Sequence, residues 1–361
     1  MKNILCCTIS NNQISNSDNV ESRIYKCGGN TGNLVWSESI AHTICFDEIF
    51  HINEIQSTYD DVNYILPMST QINVNHCNLE RYANILLKSN CRVTMLGLGA
   101  QLTEDLNTPK KLVAALPDER KKALKELSLH TKLIGLRGYI TSECLDLLGI
   151  HNHQVIGCPS FYYHGHTPPN IPKASSDKIC FNWGAANSQK EQYLKNLLRK
   201  NSKEGYALIM QTMGEFPKVL YENATLLEKH SKSSFPDIDI SPTELFSYIK
   251  KTGHIFFDIN KWYKFLHSNT FTMSTGCRFH GNMLAFLSGI PTLWITHDSR
   301  TEELTEVLKL PAISIDKTIN LNDPSQLCEY CNYDKKFYDN YKAMFFKYIE
   351  FLKANDIAYR N

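Results

Sequence analysis

The sequence predicts an α/β protein built as two doubly wound domains that face each other across a cleft. Three observations carry this. Short apolar runs alternate with helical stretches along the chain, which is the signature of parallel βαβ units. A proline-rich connector interrupts that rhythm near the middle, and 361 residues exceed what one ordinary core holds.

In the first half the strand-like runs lie at 4–9, 62–66, 92–96 and 133–136. Their counterparts in the second half are at 178–183, 207–211, 255–257, 271–274 and 292–296. Residues 166–177, HTPPNIPKASSD, carry three prolines among small polar residues and read as an extended linker. The expected organisation is therefore a Rossmann-like domain over 1–165, the linker, and a second Rossmann-like domain over 178–334. From Lys335 onward Phe337, Tyr341, Phe345, Tyr348, Ile349 and Leu352 fall at helical spacing, so 335–361 reads as an amphipathic helix able to pack back on the first domain.

Composition narrows the function classes. A net charge of +1 provides no global field for nucleic acid or an anionic membrane, so no nucleic-acid partner is expected. Twelve cysteines are too dilute for a disulfide scaffold, and Cys6, Cys7, Cys45 and Cys180 sit in apolar runs as small core residues. The N-terminal apolar stretch is too short for a signal peptide, and no run is long enough to span a bilayer. A cytoplasmic protein is expected, with peripheral docking at the inner face of the membrane and the oligomeric state left open. In that compartment the sequon Asn223-Ala224-Thr225 has no meaning.

The chemistry concentrates where strands turn into helices. Residues 271–274 read as a strand, 275–277 as a turn, and about 280–288 as a helix that Gly289 and Pro291 terminate. Arg278 and His280 stand on that connection. A helix start favours anions, an arginine adds a planar fork for carboxylate or phosphate, and a histidine can move a proton near neutral pH. The first half holds a second copy of the arrangement: the run at 133–136 ends at Arg137, Gly138 turns, Thr141 or Ser142 caps a helix ending at Gly149, and a strand begins at 155–157. Two such arginines would clamp a small dianion. Gly29, Asn30, Gly32 and Asn33 form a glycine-rich turn that matches neither phosphate-loop spacing, and Gly99 and Gln101 close another strand; both are candidate ligand-lining segments. His297 and Arg300 follow the 292–296 strand, with Asp298 or Ser299 as helix cap. Cys328 and Cys331 form a lone CxxC, and His151, His153, His164 and His166 surround the linker as loop residues, so no metal is expected.

These segments together resemble the polysaccharide pyruvyl transferase family. The likeness rests on residues 29–33 (GNTGN), 97–101 (GLGAQ), Leu136-Arg137 and 157–161 (GCPSF). It rests most on Arg278-Phe279-His280 running to Ala285 and on Gly289-Ile290-Pro291, with 297–302 (HDSRTE) following. The resemblance implies a GT-B-like pair of domains and transfer of pyruvate from phosphoenolpyruvate to a sugar as a cyclic ketal. The acceptor would be a sugar or oligosaccharide, free or lipid-linked, of capsule or exopolysaccharide assembly. It also implies that Arg278 and His280 contact phosphoenolpyruvate and that Arg137 is the arginine of the first domain, with no further cofactor. The chain has Asn33, Gly138 and Cys158 where members often carry an acidic residue. Two other expectations fit the same scaffold: a GT-B glycosyltransferase using a nucleotide sugar, and a non-catalytic binding member.

Overall fold

The computed structural model describes residues 1–7, 14, 18–51, 59–75, 77–183, 206–212, 242–315 and 324–360. Within them lie two parallel sheets. The first contains β1 (Lys2–Cys7), β2 (Glu48–His51), β3 (Val62–Pro67), β5 (Arg92–Ala100), β6 (Ile134–Leu136) and β7 (His153–Val155), in the order β2-β1-β3-β5-β6-β7; β4 (Thr70–Ile72) pairs with β5 off that path. The second runs β10-β9-β8-β11-β12-β13, from β8 (Ile179–Trp183), β9 (Ala207–Met210), β10 (Gly253–His254), β11 (Met273–Gly276), β12 (Thr292–Thr296) and β13 (Ala312–Ser314). Counted from β8, this is the order 3-2-1-4-5-6 of a dinucleotide-type Rossmann sheet, so chain direction across the sheet reverses between β8 and β11. In the first sheet the reversal falls between β1 and β3.

Continuous apolar strands are what a sheet covered on both faces requires, and every residue of β3 and of β12 is buried. The helices α1 (Val20–Lys26), α2 (Gly32–Thr43), α3 (Leu79–Leu86), α4 (Pro109–Ala115), α5 (Asp118–Leu129) and α6 (Tyr139–Leu147) accompany the first sheet in sequence. Next come α7 (Pro242–Thr252), α8 (Ile259–Ser268), α9 (Phe279–Leu287), α10 (Ser299–Leu308), α11 (Pro324–Tyr330) and α12 (Lys335–Ala354). The expected α/β class with two Rossmann-like sheets is observed.

Several local expectations shift. The strand expected at 255–257 is Gly253–His254, which pairs with Leu208 and Ile209; Ile255 is apolar because it packs on Val20 and Ile24, and Phe257 because it lies under Arg23. The strand expected at 271–274 is β11, two residues later, since Phe271 packs against Phe265 ahead of the ladder. The strand expected from 155 ends there: the N–H groups of Ile156 and Gly157 both turn onto the Leu136 carbonyl. Neither Thr141 nor Ser142 caps α6, because Tyr139 already opens it and the Thr141 hydroxyl accepts from the Ala100 N–H at 2.9 Å. Of the cysteines, Cys6 and Cys180 are buried, but Cys45 is exposed beyond the end of α2. The Cys7 side chain, residues 8–9 and the 223–225 sequon lie outside the described residues.

The helix α12 buries Phe337, Tyr341, Phe345, Tyr348, Phe351 and Leu352, at helical spacing. Tyr348 stacks on Tyr162 at 4.6 Å between ring centroids, Phe351 lies against Gly135 of β6, and Asn355 exchanges hydrogen bonds with the Leu133 backbone. Toward its start Phe337 meets Phe286 of α9, and Asn340 donates to the Val307 carbonyl of α10. One helix therefore touches elements of both halves.

Candidate active site

The carboxyl ends of β8, β9 and β11 meet at the switch point of the second sheet, and a buried polar network forms there. Asn182, the fourth residue of β8, donates from Nδ2 to Ser274 Oγ (3.0 Å) and Asn282 Oδ1 (2.8 Å). Gln211 Nε2 donates to Asn182 Oδ1 (3.3 Å), and Asn282 Nδ2 donates to the Gly276 carbonyl (2.8 Å). Buried amides are stable only when paired in this way. The network fixes the start of α9, which carries Phe279 and His280, directly beyond the strand ends.

The glycine turn of the first half closes onto the same place. Asn30 bridges to Thr212, the Thr31 N–H donates to the Gln211 carbonyl at 2.8 Å, and α2 begins at Gly32. The approach is close enough that a Cβ on Gly32 would lie 2.5 Å from Gln211 Oε1 and 3.2 Å from His280 Cβ. Glycine at 32 thus serves helix approach. Asn33 is turned partly inward, donating to the Cys27 carbonyl and accepting from the Trp36 indole N–H.

Between the halves lies a cavity of about 420 Å³. Arg137, His280 and Arg300 reach it, together with Asn30, Asn33 and Gln101. Its lining among the described residues contains no aspartate or glutamate. Arg137 is 7% exposed, donates from Nη2 to the Met68 carbonyl at 3.3 Å, and has a buried Nε with no hydrogen-bond partner. Burial lowers its pKa from the usual arginine value, and Arg300 acts in the same direction. A guanidinium that reaches a cavity without carboxylates offers its charge to an anion.

His280 places Nε2 3.5 Å from Cys158 Sγ. Burial drives its pKa well below the usual histidine value, and Arg137 and Arg300 push it further down, so the resting imidazole is neutral. Arg300 is held by Asp298, whose Oδ2 accepts from Nε at 3.1 Å. Burial alone would raise the Asp298 pKa, but Arg300 and His297 bring it down to about 2.

Five candidate residues, Arg278, His297, Gly29, Gly32 and Gly99, stand outside that lining. Arg278 does not line the cavity: Nη2 donates to Thr212 Oγ1 at 2.9 Å, so its guanidinium leans toward the end of β9. Its Nε is also buried without a partner. The arginine that joins Arg137 in the cavity is Arg300, the second residue of α10. His297 likewise lies outside the lining and pairs with Asp298 at 3.5 Å. Gly29 adopts a positive φ of 81° as part of the turn but does not line the cavity either, whereas Gly28 does. Gly99 supports Arg137 from below, with the Arg137 Cδ 3.1 Å from where a Cβ would stand. Trp36, Ser69, Thr70, Asn73, Asn75 and Thr103 line the cavity without having been anticipated. Among the described residues no group of three or more His, Cys, Asp or Glu side chains is placed to hold a metal ion, and Cys328 approaches Met273 instead of a second cysteine pair.

A family model described as polysaccharide pyruvyl transferase matches residues 51–299. The chain belongs to this family. No curated protein matches it. Among solved structures it is similar to Os79 from O. sativa in complex with UDP and deoxynivalenol-3-glucoside, at 10% identity and a TM-score of 0.37, covering 93% of this chain and 83% of that one. It is also similar to WaaG, a glycosyltransferase involved in lipopolysaccharide biosynthesis, at 9% identity and a TM-score of 0.34, covering 98% and 96%. Family membership supports a transferase. No helix among the described residues is long and apolar enough to cross a membrane.

Proposed function

We propose that this pyruvyl transferase family member moves pyruvate from phosphoenolpyruvate to a sugar or oligosaccharide of capsule or exopolysaccharide assembly, closing a cyclic ketal. The observation that carries this reading is the convergence of Arg137, Arg300 and a neutral His280 on one polar cavity without a carboxylate. Phosphoenolpyruvate brings a phosphate and a carboxylate, and Arg137 and Arg300 offer one guanidinium to each, with Arg278 adding positive charge from outside the lining. Resting neutral, His280 gains a proton when the dianion offsets the two arginines, because an opposite charge within a few ångströms favours the imidazolium.

That proton goes to the methylene carbon, leaving positive charge on the adjacent carbon. A sugar hydroxyl adds there, and its proton returns to His280. The bond from that carbon to the phosphate oxygen then breaks, phosphate leaves with the electron pair, and a second hydroxyl closes the ketal as its proton passes to the departing phosphate. The arginines stabilise the charge that builds on the leaving phosphate. Asn30, Asn75 and Gln101 present amides suited to sugar hydroxyls in the same cavity.

The test is a thermal-shift and phosphate-release series. Phosphoenolpyruvate should raise Tm, by mass action on the folded state, more than UDP, GDP or CMP at the same concentration. Arg137→Ala and Arg300→Ala should each abolish that shift and phosphate release in the presence of acceptor. A larger shift with a nucleoside diphosphate would replace this reading with nucleotide-sugar transfer. Phosphoenolpyruvate binding without phosphate release from any acceptor would make the protein a binding member.

A further inference from the structure

Glu303 carries a carboxylate that the proposed chemistry does not use. It sits on α10, in the C-terminal half, yet it is 6% exposed because its side chain is inserted into the N-terminal half. There Oε1 accepts the backbone N–H of Ile140 at 2.6 Å and that of Thr141 at 3.2 Å. These are first-turn amides of α6, a helix with no side-chain cap of its own. A carboxylate at this place meets both the orphan donors and the positive end of the helix dipole.

The residue before α6 is Gly138, and the reason for glycine there is space. Its φ of −170° is extended backbone open to any residue. A Cβ at 138, however, would overlap Glu303 Cγ, Cδ and Oε1. The residue before Gly138 is Arg137, so Glu303 seats the backbone that carries the buried arginine.

The same helix makes a second anchor one turn earlier. Ser299 Oγ accepts the Leu102 N–H at 2.9 Å and donates to the Leu102 carbonyl at 3.3 Å, again across the halves. Arg300, in the cavity, lies between these two anchors. Glu303 therefore touches the segment after one arginine and shares a helix turn with the other.

We propose that Glu303 is the positioning residue of the anion clamp: by capping α6 from the opposite half, in the space kept open by Gly138, it locks Arg137 and Arg300 into one cavity. The inference rests on the anion-site reading above for its ligand but on the cap geometry for its mechanism. The charged and titratable groups facing Glu303 are Arg137 before α6, Cys144 within α6 and Glu306 on α10. Burial raises its pKa to about 7, and the two amides and Arg137 act against that rise, so a neutral acceptor of the same shape should serve nearly as well.

The experiment is a double-mutant cycle between positions 138 and 303 on the full chain. It is read by calorimetric titration with inorganic phosphate and with phosphoenolpyruvate, and by amide hydrogen exchange at Ile140 and Thr141. Glu303→Ala and Gly138→Ala should each weaken phosphate binding by about 100-fold, the scale of an ångström-level displacement of a binding group. Glu303→Gln should stay within about threefold of wild type, and Gly138→Ala in the Glu303→Ala background should add no more than about threefold. Exchange at Ile140 and Thr141 should quicken in Glu303→Ala and recover in Glu303→Gln. If Glu303→Ala does not fold, the comparison of Gly138→Ala with Glu303→Gln carries the test: exchange at Ile140 and Thr141 should quicken in the first and stay at the wild-type rate in the second, and equal rates overturn the proposal. Equal cost of Gly138→Ala in both backgrounds, or unchanged exchange at the two amides, overturns the proposal. Failure of wild type to bind either anion overturns the pyruvyl-transfer reading alone, since the exchange measurement needs no ligand.

Discussion

Cys158 Sγ lies 3.5 Å from His280 Nε2, which couples the loop after β7 in one half to the first turn of α9 in the other. The same thiol stands 3.1 Å from Ser160 Oγ, so it is fixed from both sides. This contact makes position 158 a control point for the charge of His280. Cys158→Asp would put an anion within 4 Å of the imidazole, and such a neighbour raises a histidine pKa by roughly 1–3 units. An NMR titration of the His280 ring protons should show that rise. An unchanged titration would mean that the side chain at 158 does not face the ring.

Two buried groups give stability a pH dependence of opposite sign. The pKa of His280 is depressed on folding, so the unfolded chain binds the proton more tightly; the folded state loses stability as pH falls below about 6.5. Glu303 is raised to about 7 on folding, so its contribution is complete below the ordinary glutamate value near 4.5 and is lost as pH rises toward 7. That span corresponds to ~3 kcal/mol. Denaturant titrations between pH 5 and 8 should separate the two. His280→Gln should flatten the acid-side loss, and Glu303→Gln should raise stability at pH 8 while changing little at pH 5. A Glu303→Gln variant no more stable than wild type at pH 8 would contradict the raised carboxyl.

Asn182→Ala should cost about 3 kcal/mol, because in a buried network it removes the acceptor of Gln211 Nε2 and the amide donor that Ser274 Oγ and Asn282 Oδ1 share. Urea unfolding gives that figure directly. A cost below about 1 kcal/mol would mean that water takes over these bonds.

Tyr348→Ala should destabilise by about 3–5 kcal/mol, the range for deleting a large buried aromatic. Tyr348 is fully buried, stacks on Tyr162, and lies 3.3 Å from Thr43 Oγ1. The loss should appear as earlier melting of the first-sheet core, read by amide exchange on β6 and β7. Unaltered exchange there would show that α12 contributes only to the second half.

Much of this architecture is legible from residue order. Apolar runs at 62–66, 93–96 and 292–296 fall on strands because each is buried along its length, and burial on both faces leaves an unbroken apolar signature. The edges are not legible: β2 (Glu48–His51) carries polar residues because among the described residues one side of it has no neighbouring strand, and no alternation marks it. In the site, Arg137 and His280 could be read from strand-to-helix turns. Arg300 took precedence over Arg278 for a reason no turn signal contains: Thr212, on another strand end, claims the Arg278 guanidinium. Asn182 and Gln211 did leave a trace, as amides closing otherwise apolar runs at a sheet's carboxyl edge. Glu303 left none. Its partners are backbone amides 163 and 162 residues away, and only the overlap at Gly138 reveals why it is there.

The span of α12 across both halves bears on how the protein is made. The first-sheet core includes Tyr341, Tyr348 and Phe351, and these residues leave the ribosome only after the entire second sheet. A chain interrupted after residue 334 would hold Tyr162 and Phe161 without their covering rings. The N-terminal half thus has to wait, with an apolar face uncovered, through synthesis of more than half its own length again. Such a nascent chain is a natural client for holding chaperones, and C-terminal tags or truncations at this helix should affect yield more than the distance from the cavity would suggest.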